Sequence, residues 1–277
     1  MHRRGRARGA PHRRGRGPLL PRAADREALR GHVTVRVTFI GSGNAFADGG
    51  RSHACIHVSA PGVSLLLDCG GSALPAIQRE IDPEAIDAIA ISHLHGDHFG
   101  GIPYLVVEQH FARRTAPLAI AGPRALAERL RVAESALYPD FFRKTKVGFP
   151  VAQTVLGASE VELGGALVSA LPVIHVAESD PHGLRVRVGD KLVAYSGDAT
   201  WSQELSRVAK GADIFICDAS FFDTDDPSHI SYRTLMSHRA ELDCKRIVLT
   251  HLGAETLARI GELELEHAVD GSVFEVG

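Results

Sequence analysis

Four metal-ligating side chains within six residues, directly behind a short apolar run, constrain this chain more than any other feature. The run is residues 88–91 (Ala-Ile-Ala-Ile), followed by Ser92-His93-Leu94-His95-Gly96-Asp97-His98-Phe99-Gly100-Gly101. Such a run predicts a buried strand. Imidazole nitrogen and carboxylate oxygen are ligands that suit zinc, iron and manganese. Extended residues two apart point to one side, so His93 and His95 can hold one ion together. Asp97 and His98, turning into the next helix, can reach a second ion, and Gly96, Gly100 and Gly101 let the backbone fold tightly around the pair. The competing reading, a polar loop that happens to be rich in histidine, does not account for four spaced ligands behind a strand.

The rest of the chain supplies layers to carry that loop. Residues 33–40 alternate and end at Gly41-Ser42-Gly43, a strand running into a turn. Residues 55–58 and 63–67, split by Ala60-Pro61-Gly62, predict a hairpin. Helices are expected at 73–80, 102–113 and 124–138, the last opening just after Pro123. Strand signals follow at 161–163, 166–171, 184–188 and 192–195. The last third alternates: helix 201–210, strand 214–217, helix 232–242, strand 246–249, helix 255–260. Strands first, then strand–helix alternation, predict an α/β fold of sheets with helices packed outside.

Composition sets the boundaries. An apolar share of 44% and a charged share of 23% fit a globular chain of 277 residues. The longest stretch without Asp, Glu, Lys or Arg is 52–67, too short and too polar to span a bilayer. Cys55, Cys69, Cys217 and Cys244 form no Cys-x-x-Cys pair, so a reducing, cytoplasmic setting is expected. The overall charge of −2 is uneven: residues 1–31 hold ten arginines against Asp25 and Glu27, a net of +8, which leaves −10 elsewhere. Residues 1–32 are therefore expected to be a disordered tail, and 33–277 the single folded domain. The tail reads as a solvated extension rather than a nucleic-acid arm, since it carries no motif. Of the fifteen histidines, His53, His57, His110, His182 and His238 are expected to be surface or hydrogen-bonded core residues. Trp201 is expected to pack a helix start, and the aromatic cluster at 138–142 to lie in a loop.

His93-x-His95-x-Asp97-His98 resembles the signature of the metallo-β-lactamase superfamily, and the likeness continues in order from residue 33 to the C terminus. Asp68 in Leu65-Leu66-Leu67-Asp68 is similar to the family's early aspartate, which orients the metal loop. His175 resembles the third histidine of the first metal site, Asp198 the bridging carboxylate, and His251 the last ligand of the second site. The resemblance implies a four-layer αββα sandwich. No cysteine stands at Asp198, as it tends to in the lactamases, and His95 is not the glutamate of the diiron flavoproteins. Only 26 residues follow His251, too few for the helical domain of the glyoxalase II enzymes. The opening Phe39-Ile40-Gly41-Ser42-Gly43 and the closing Leu249-Thr250-His251 are most similar to the ribonuclease Z-like branch. That branch implies an acid–histidine pair, for which this chain offers Asp218 (an aspartate for the family's glutamate) and His229.

Ribonuclease Z proper carries a tRNA-gripping arm between the third histidine and the bridging aspartate. Here only 22 residues separate His175 from Asp198, so the arm is absent from that position. The acidic body also makes a poor surface for polyanionic RNA. The expectation is a binuclear metal-dependent hydrolase, a phosphodiesterase cleaving a small or cyclic phosphodiester by metal-hydroxide attack. It would hold two divalent ions, zinc first, with manganese or iron(II) as alternatives. His93, His95 and His175 would bind one ion, Asp97, His98 and His251 the other, and Asp198 both. Asp97, Asp218 and His229 are the candidate catalytic side chains, His229 as proton donor oriented by Asp218. The rivals are a ribonuclease Z-type tRNA 3′ endonuclease, a hydrolase of esters, thioesters, lactones or sulfate esters on the same metals, and a non-catalytic interaction module. A small-molecule substrate and no membrane partner are expected; a nucleic-acid substrate and a homodimer are left open.

Overall fold

A computed structural model describes residues 33–277, so the expected tail at 1–32 lies outside the described residues. The hairpin expected at 55–67 is present as β2 (Cys55–Ala60) and β3 (Val63–Leu67), turning through Gly62 at φ 76°. Strand β1 (Val35–Gly41) pairs antiparallel with β2. After β3 comes helix α1 (Ala73–Glu80), then β4 (Ala88–Ala90), a single helical turn α2 (Gly96–Phe99) and α3 (Ile102–Phe111). β5 (Leu118–Gly122), α4 (Leu126–Leu137), α5 (Pro139–Lys144) and β6 (Val151–Val155) complete the first half. The second half runs β7 (Val161–Leu163), β8 (Ala166–Pro172), β9 (His182–Val188), β10 (Lys191–Tyr195), α6 (Gln203–Ala209), β11 (Ile214–Asp218) and α7 (Tyr232–Ser237). It ends with β12 (Ile247–Thr250), α8 (Ala254–Ala258), β13 (Glu266–His267) and β14 (Val273–Val276).

Two seven-stranded sheets result, in the orders β14-β1-β2-β3-β4-β5-β6 and β13-β12-β11-β10-β9-β8-β7. β14 crosses back to pair with β1, so the chain's end ties the two halves together. The inward faces meet in one apolar core that includes Val37, Phe39, Leu65 and Leu67 from one sheet and Val186, Val193, Ile214 and Val248 from the other. A second core lies under α1, α3 and α4 (Ile77, Ile102, Leu105, Leu130). A third lies under α6 and α7 (Leu205, Val208, Leu235). The layers are therefore helix, sheet, sheet, helix, and the expected αββα sandwich is what the chain forms.

Several boundaries differ from the sequence reading. Ser202 caps α6 through its hydroxyl, which accepts from Leu205 N–H at 3.1 Å, so that helix starts at Gln203 rather than at Trp201. The helices expected at 232–242 and 255–260 are shorter and finish in separate 3₁₀ turns. The cluster at 138–142 is not a loop: Pro139 opens helix α5, its missing N–H harmless at the first helical position. Tyr138 packs edge-on to Tyr104 with ring centres 5.7 Å apart, and Phe142 packs against the core beneath the first sheet.

Candidate metal centre

Asp68, Asp218 and the seven expected ligands lie at or just beyond the C-terminal end of a strand, whereas His229 sits in the stretch between β11 and α7. Asp68 follows β3, the 92–98 loop follows β4, His175 follows β8 and Asp198 follows β10. Asp218 is the last residue of β11, and His251 follows β12. Because β3-β4 and β10-β11-β12 are parallel pairings, their carboxyl ends gather at one edge of the sandwich. Open α/β sheets bind ligands at such edges. Asp68 and His251 hold left-handed backbone angles (φ 60° and 59°), a local cost that non-glycine residues tolerate where the surroundings fix them.

The seven expected ligands converge. His95 Nδ1 is 3.1 Å from both His93 Nε2 and His175 Nε2. Asp97 Oδ2 is 3.3 Å from both His98 Nε2 and His251 Nε2. Asp198 stands between these groups and divides its oxygens. Oδ2 lies 3.7 Å from His93 Nε2 and 3.9 Å from His175 Nε2, whereas Oδ1 lies 3.2 Å from His98 Nε2 and 3.4 Å from His251 Nε2. Within each group of four, all offered ligand atoms fall within 4.8 Å of one another.

Behind the ring, most of the other nitrogens are occupied. His98 Nδ1 donates to Asp68 Oδ2 at 2.7 Å, His175 Nδ1 donates to the Ser228 carbonyl at 2.7 Å, and Ser92 Oγ lies 3.1 Å from His93 Nδ1. Ser220 Oγ lies 3.0 Å from His251 Nδ1. Each such contact turns Nε2 inward as a lone-pair donor, the usual arrangement around metal-binding histidine. Asp68 is the hub: its two oxygens also accept from Ser92 N–H and Ser92 Oγ, each at 2.7 Å. The Tyr195 hydroxyl reaches the same carboxylate from the other sheet.

The charges around the ring suit a divalent cation. Burial and the neighbouring imidazoles hold His93 and His95 below the ordinary histidine range, and burial does the same for His175, leaving neutral ligands. Burial would also lower His251, but Asp198, with Asp218 and Asp97, outweighs it and pushes the pKa up to about 10. His98 is raised for the same reason, chiefly by Asp198 and Asp68. Two buried atoms lack any hydrogen-bond partner among the described residues, His98 Nε2 and Asp198 Oδ1. Both point into the ring, so a divalent ion fits where a polar pair would otherwise be orphaned.

Asp218 and His229 also meet, at 2.7 Å between Asp218 Oδ2 and His229 Nδ1. The pair adjoins the ring, His229 packing 4.9 Å from the His175 ring and parallel to His251 at 5.6 Å. Sequence reasoning missed the roles of Ser92, Ser220 and the Ser228 carbonyl. The first two stand beside motif residues and could have been suspected, whereas a backbone acceptor leaves no residue-type signal. The other histidines are satisfied elsewhere: His53 Nδ1 accepts from Ser72 N–H at 3.2 Å, and His57 Nε2 lies 3.0 Å from Ser64 Oγ. His110 Nδ1 accepts from Gly148 N–H, and His182 Nδ1 donates to the Asp180 carbonyl. His238 stacks on Trp201 at 4.1 Å, which makes Trp201 a packing residue. Between His175 and Asp198 the chain forms only a 3₁₀ turn and the β9–β10 pair.

Comparisons with known proteins agree with this geometry. A protein-family profile described as anti-Pycsar protein Apyc1 matches residues 35–268. Protein ML1173 of Mycobacterium leprae is 32% identical over 252 residues, covering 88% of this chain and 87% of that protein. Ribonuclease Z of Methanothermobacter thermautotrophicus is 27% identical over 271 residues, covering 79% and 86%. Among solved structures, the metallo-β-lactamase fold protein YhfI from Bacillus subtilis superposes with a TM-score of 0.72 at 22% identity, covering 88% of this chain and 100% of that one.

Proposed function

Because the chain belongs to the anti-Pycsar Apyc1 family, in the ribonuclease Z-like branch of the metallo-β-lactamase superfamily, we propose that it is a metal-dependent phosphodiesterase. Its substrate on this reading is a small cyclic phosphodiester, first among them a cyclic nucleoside monophosphate. The observation that carries the reading is the division of Asp198 between two ligand groups, with an acid–histidine pair alongside.

His93, His95 and His175 would hold one divalent ion, zinc in the first instance, and Asp97, His98 and His251 the other, with Asp198 common to both. Bound there, such ions supply Lewis-acid polarisation of a phosphoryl oxygen and lower the pKa of water. Asp68 keeps His98 in one tautomer and one orientation, so its Nε2 lone pair faces inward. His229 is the proton donor to the leaving alkoxide. Burial would lower its pKa, but the Asp218 carboxylate 2.7 Å away outweighs that and raises it, which favours the protonated ring. With Nδ1 held by Asp218, Nε2 is the nitrogen left to give its proton to substrate. Asp218 is itself fully buried and fixed by Ser220 N–H at 2.9 Å and Ser220 Oγ at 2.8 Å.

Two observations favour a small substrate over tRNA: the short span from His175 to Asp198, and a net charge of −10 once the Arg-rich segment is set aside. The test is a panel run on metal-analysed protein. It comprises cyclic nucleoside monophosphates, bis-p-nitrophenyl phosphate, precursor tRNA, and carboxylic, thio-, lactone and sulfate esters. Preferred turnover of the cyclic phosphodiesters is expected. Preferred turnover of a carboxylic or sulfate ester, or efficient 3′ trimming of the tRNA, would replace the reading.

A further inference from the structure

A cleft of about 220 Å³ opens beside His229 and His251, and among its walls are Asn44, Phe46, Asp48 and Phe221. That is below the ~300–1,000 Å³ of drug-sized sites, so it fits one ring system rather than a polymer. None of the lining residues is Lys or Arg, whereas Asp48 and Glu255 are acidic. Away from His229 and His251 an anionic phosphate has no cationic partner in the cleft, whereas a planar ring meets the aromatic faces of Phe46 and Phe221.

Phe46 lies at this cleft with 84% of its surface exposed. One exposed apolar residue alone means little. This one is carried on a loop that is pinned rather than loose. Asn44 Oδ1 accepts from Phe46 N–H at 3.2 Å and from Asp48 N–H at 3.1 Å. Asp48 Oδ2 in turn accepts from Asn44 Nδ2 at 2.8 Å and from Ala254 N–H at 3.0 Å. Four hydrogen bonds therefore fix the loop that carries an aromatic ring at the edge of a cleft continuous with the proton donor. Phe221, half-buried, adds a second ring 6.2 Å from His229. Fixed aromatic faces hold nucleobases by stacking without reading their sequence, because every base has a π-face.

We infer that Phe46, with Phe221, forms the subsite for the nucleobase of the substrate, and that it makes the enzyme prefer cyclic nucleotides over cyclic sugar phosphates lacking a base. This rests on the phosphodiesterase reading and adds to it a determinant of specificity. The base lies between the aromatic faces of the cleft while the phosphodiester reaches the ligand ring past His229.

The test compares the full-length metal-loaded enzyme with Phe46→Ala and Phe46→Trp. Its readout is the ratio of kcat/KM for a cyclic nucleoside monophosphate to that for a cyclic ribose phosphate without a base. Phe46→Ala should lower this ratio about tenfold, mainly through KM, the scale of one lost base–aromatic stack. Phe46→Trp should restore it. An unchanged ratio in Phe46→Ala would overturn the inference. Calorimetric titration with a nucleoside 5′-monophosphate gives a readout independent of turnover, and Phe46→Ala should bind about tenfold more weakly. Equal affinity, or no binding by the unmodified enzyme, also overturns the subsite. If neither cyclic substrate is turned over, the phosphodiesterase reading falls, and the calorimetry still decides the subsite.

Discussion

Asp198 serves both halves of the ligand ring, and His229 serves neither; that contrast separates the two kinds of residue in this site. The ring histidines present Nε2 inward with their other nitrogens occupied behind them, apart from His95, which faces inward through Nδ1. His229 instead spends Nδ1 on Asp218 and keeps Nε2 for a ligand. His229→Ala should therefore slow cleavage of substrates with poor leaving groups, such as ribose alkoxides, by about 10²–10⁴-fold. Cleavage that expels p-nitrophenolate, which leaves without a proton, should change little. Steady-state rates on the two substrate types check this, and equal losses on both would remove His229 from proton transfer. These residues were legible in the sequence because polar groups of metal-binding type behind apolar runs stand out by type and spacing. Phe46 was not, since a lone aromatic in a glycine-rich turn has no such signature. The Ser228 carbonyl was not legible at all, because any residue supplies one.

At the level of elements, the ligand loop between β4 and α2 is held by the loop that follows β3. Cys69 N–H donates to the His98 carbonyl at 2.6 Å, Gly71 N–H to the Gly96 carbonyl at 3.1 Å, and Gly101 N–H to the Cys69 carbonyl at 2.8 Å. The approach is so close that a Cβ at Gly70 would lie 2.0 Å from the Asp97 carbonyl oxygen. One at Gly101 would lie 2.2 Å from the Gly70 carbonyl. Gly96 faces open space, so the tight wrapping expected of all three loop glycines holds for Gly100 and Gly101 only. Gly70→Ala should push the ligand loop outward. We expect a loss of roughly 1–3 kcal/mol in stability and about 10–100-fold in metal affinity. Thermal unfolding and metal titration measure both, and unchanged values would show that the loop adapts freely. Besides the two-residue β13, the strands that the sequence reading left out are the ones with weak alternation. β5 is buried and alanine-rich, β6 is a largely exposed edge strand, and β14 pairs only once the chain returns to β1. Their identity depends on neighbours far away in sequence, which a local pattern does not encode.

For the molecule as a whole, the two halves meet only when both sheets pack, and the ring is completed across that packing. His93, His95, Asp97 and His98 come from the half carrying the first sheet, while His175, Asp198 and His251 come from the half carrying the second. No helix among the described residues is long and apolar enough to cross a membrane. We propose residues 33–277 as the catalytic domain. With carboxylates from both halves buried at one edge, bound cations are expected to hold the halves together as well as to serve chemistry.

The central claim is that one carboxylate joins two metal sites, and the most direct test is metal content per chain. Protein purified without chelator and reconstituted with zinc should contain two ions per chain, and Asp198→Ala should lose both together, because it removes a ligand that both sites share. A single tightly held ion in the unmodified protein, no metal after reconstitution, or a full complement retained by Asp198→Ala would contradict the account.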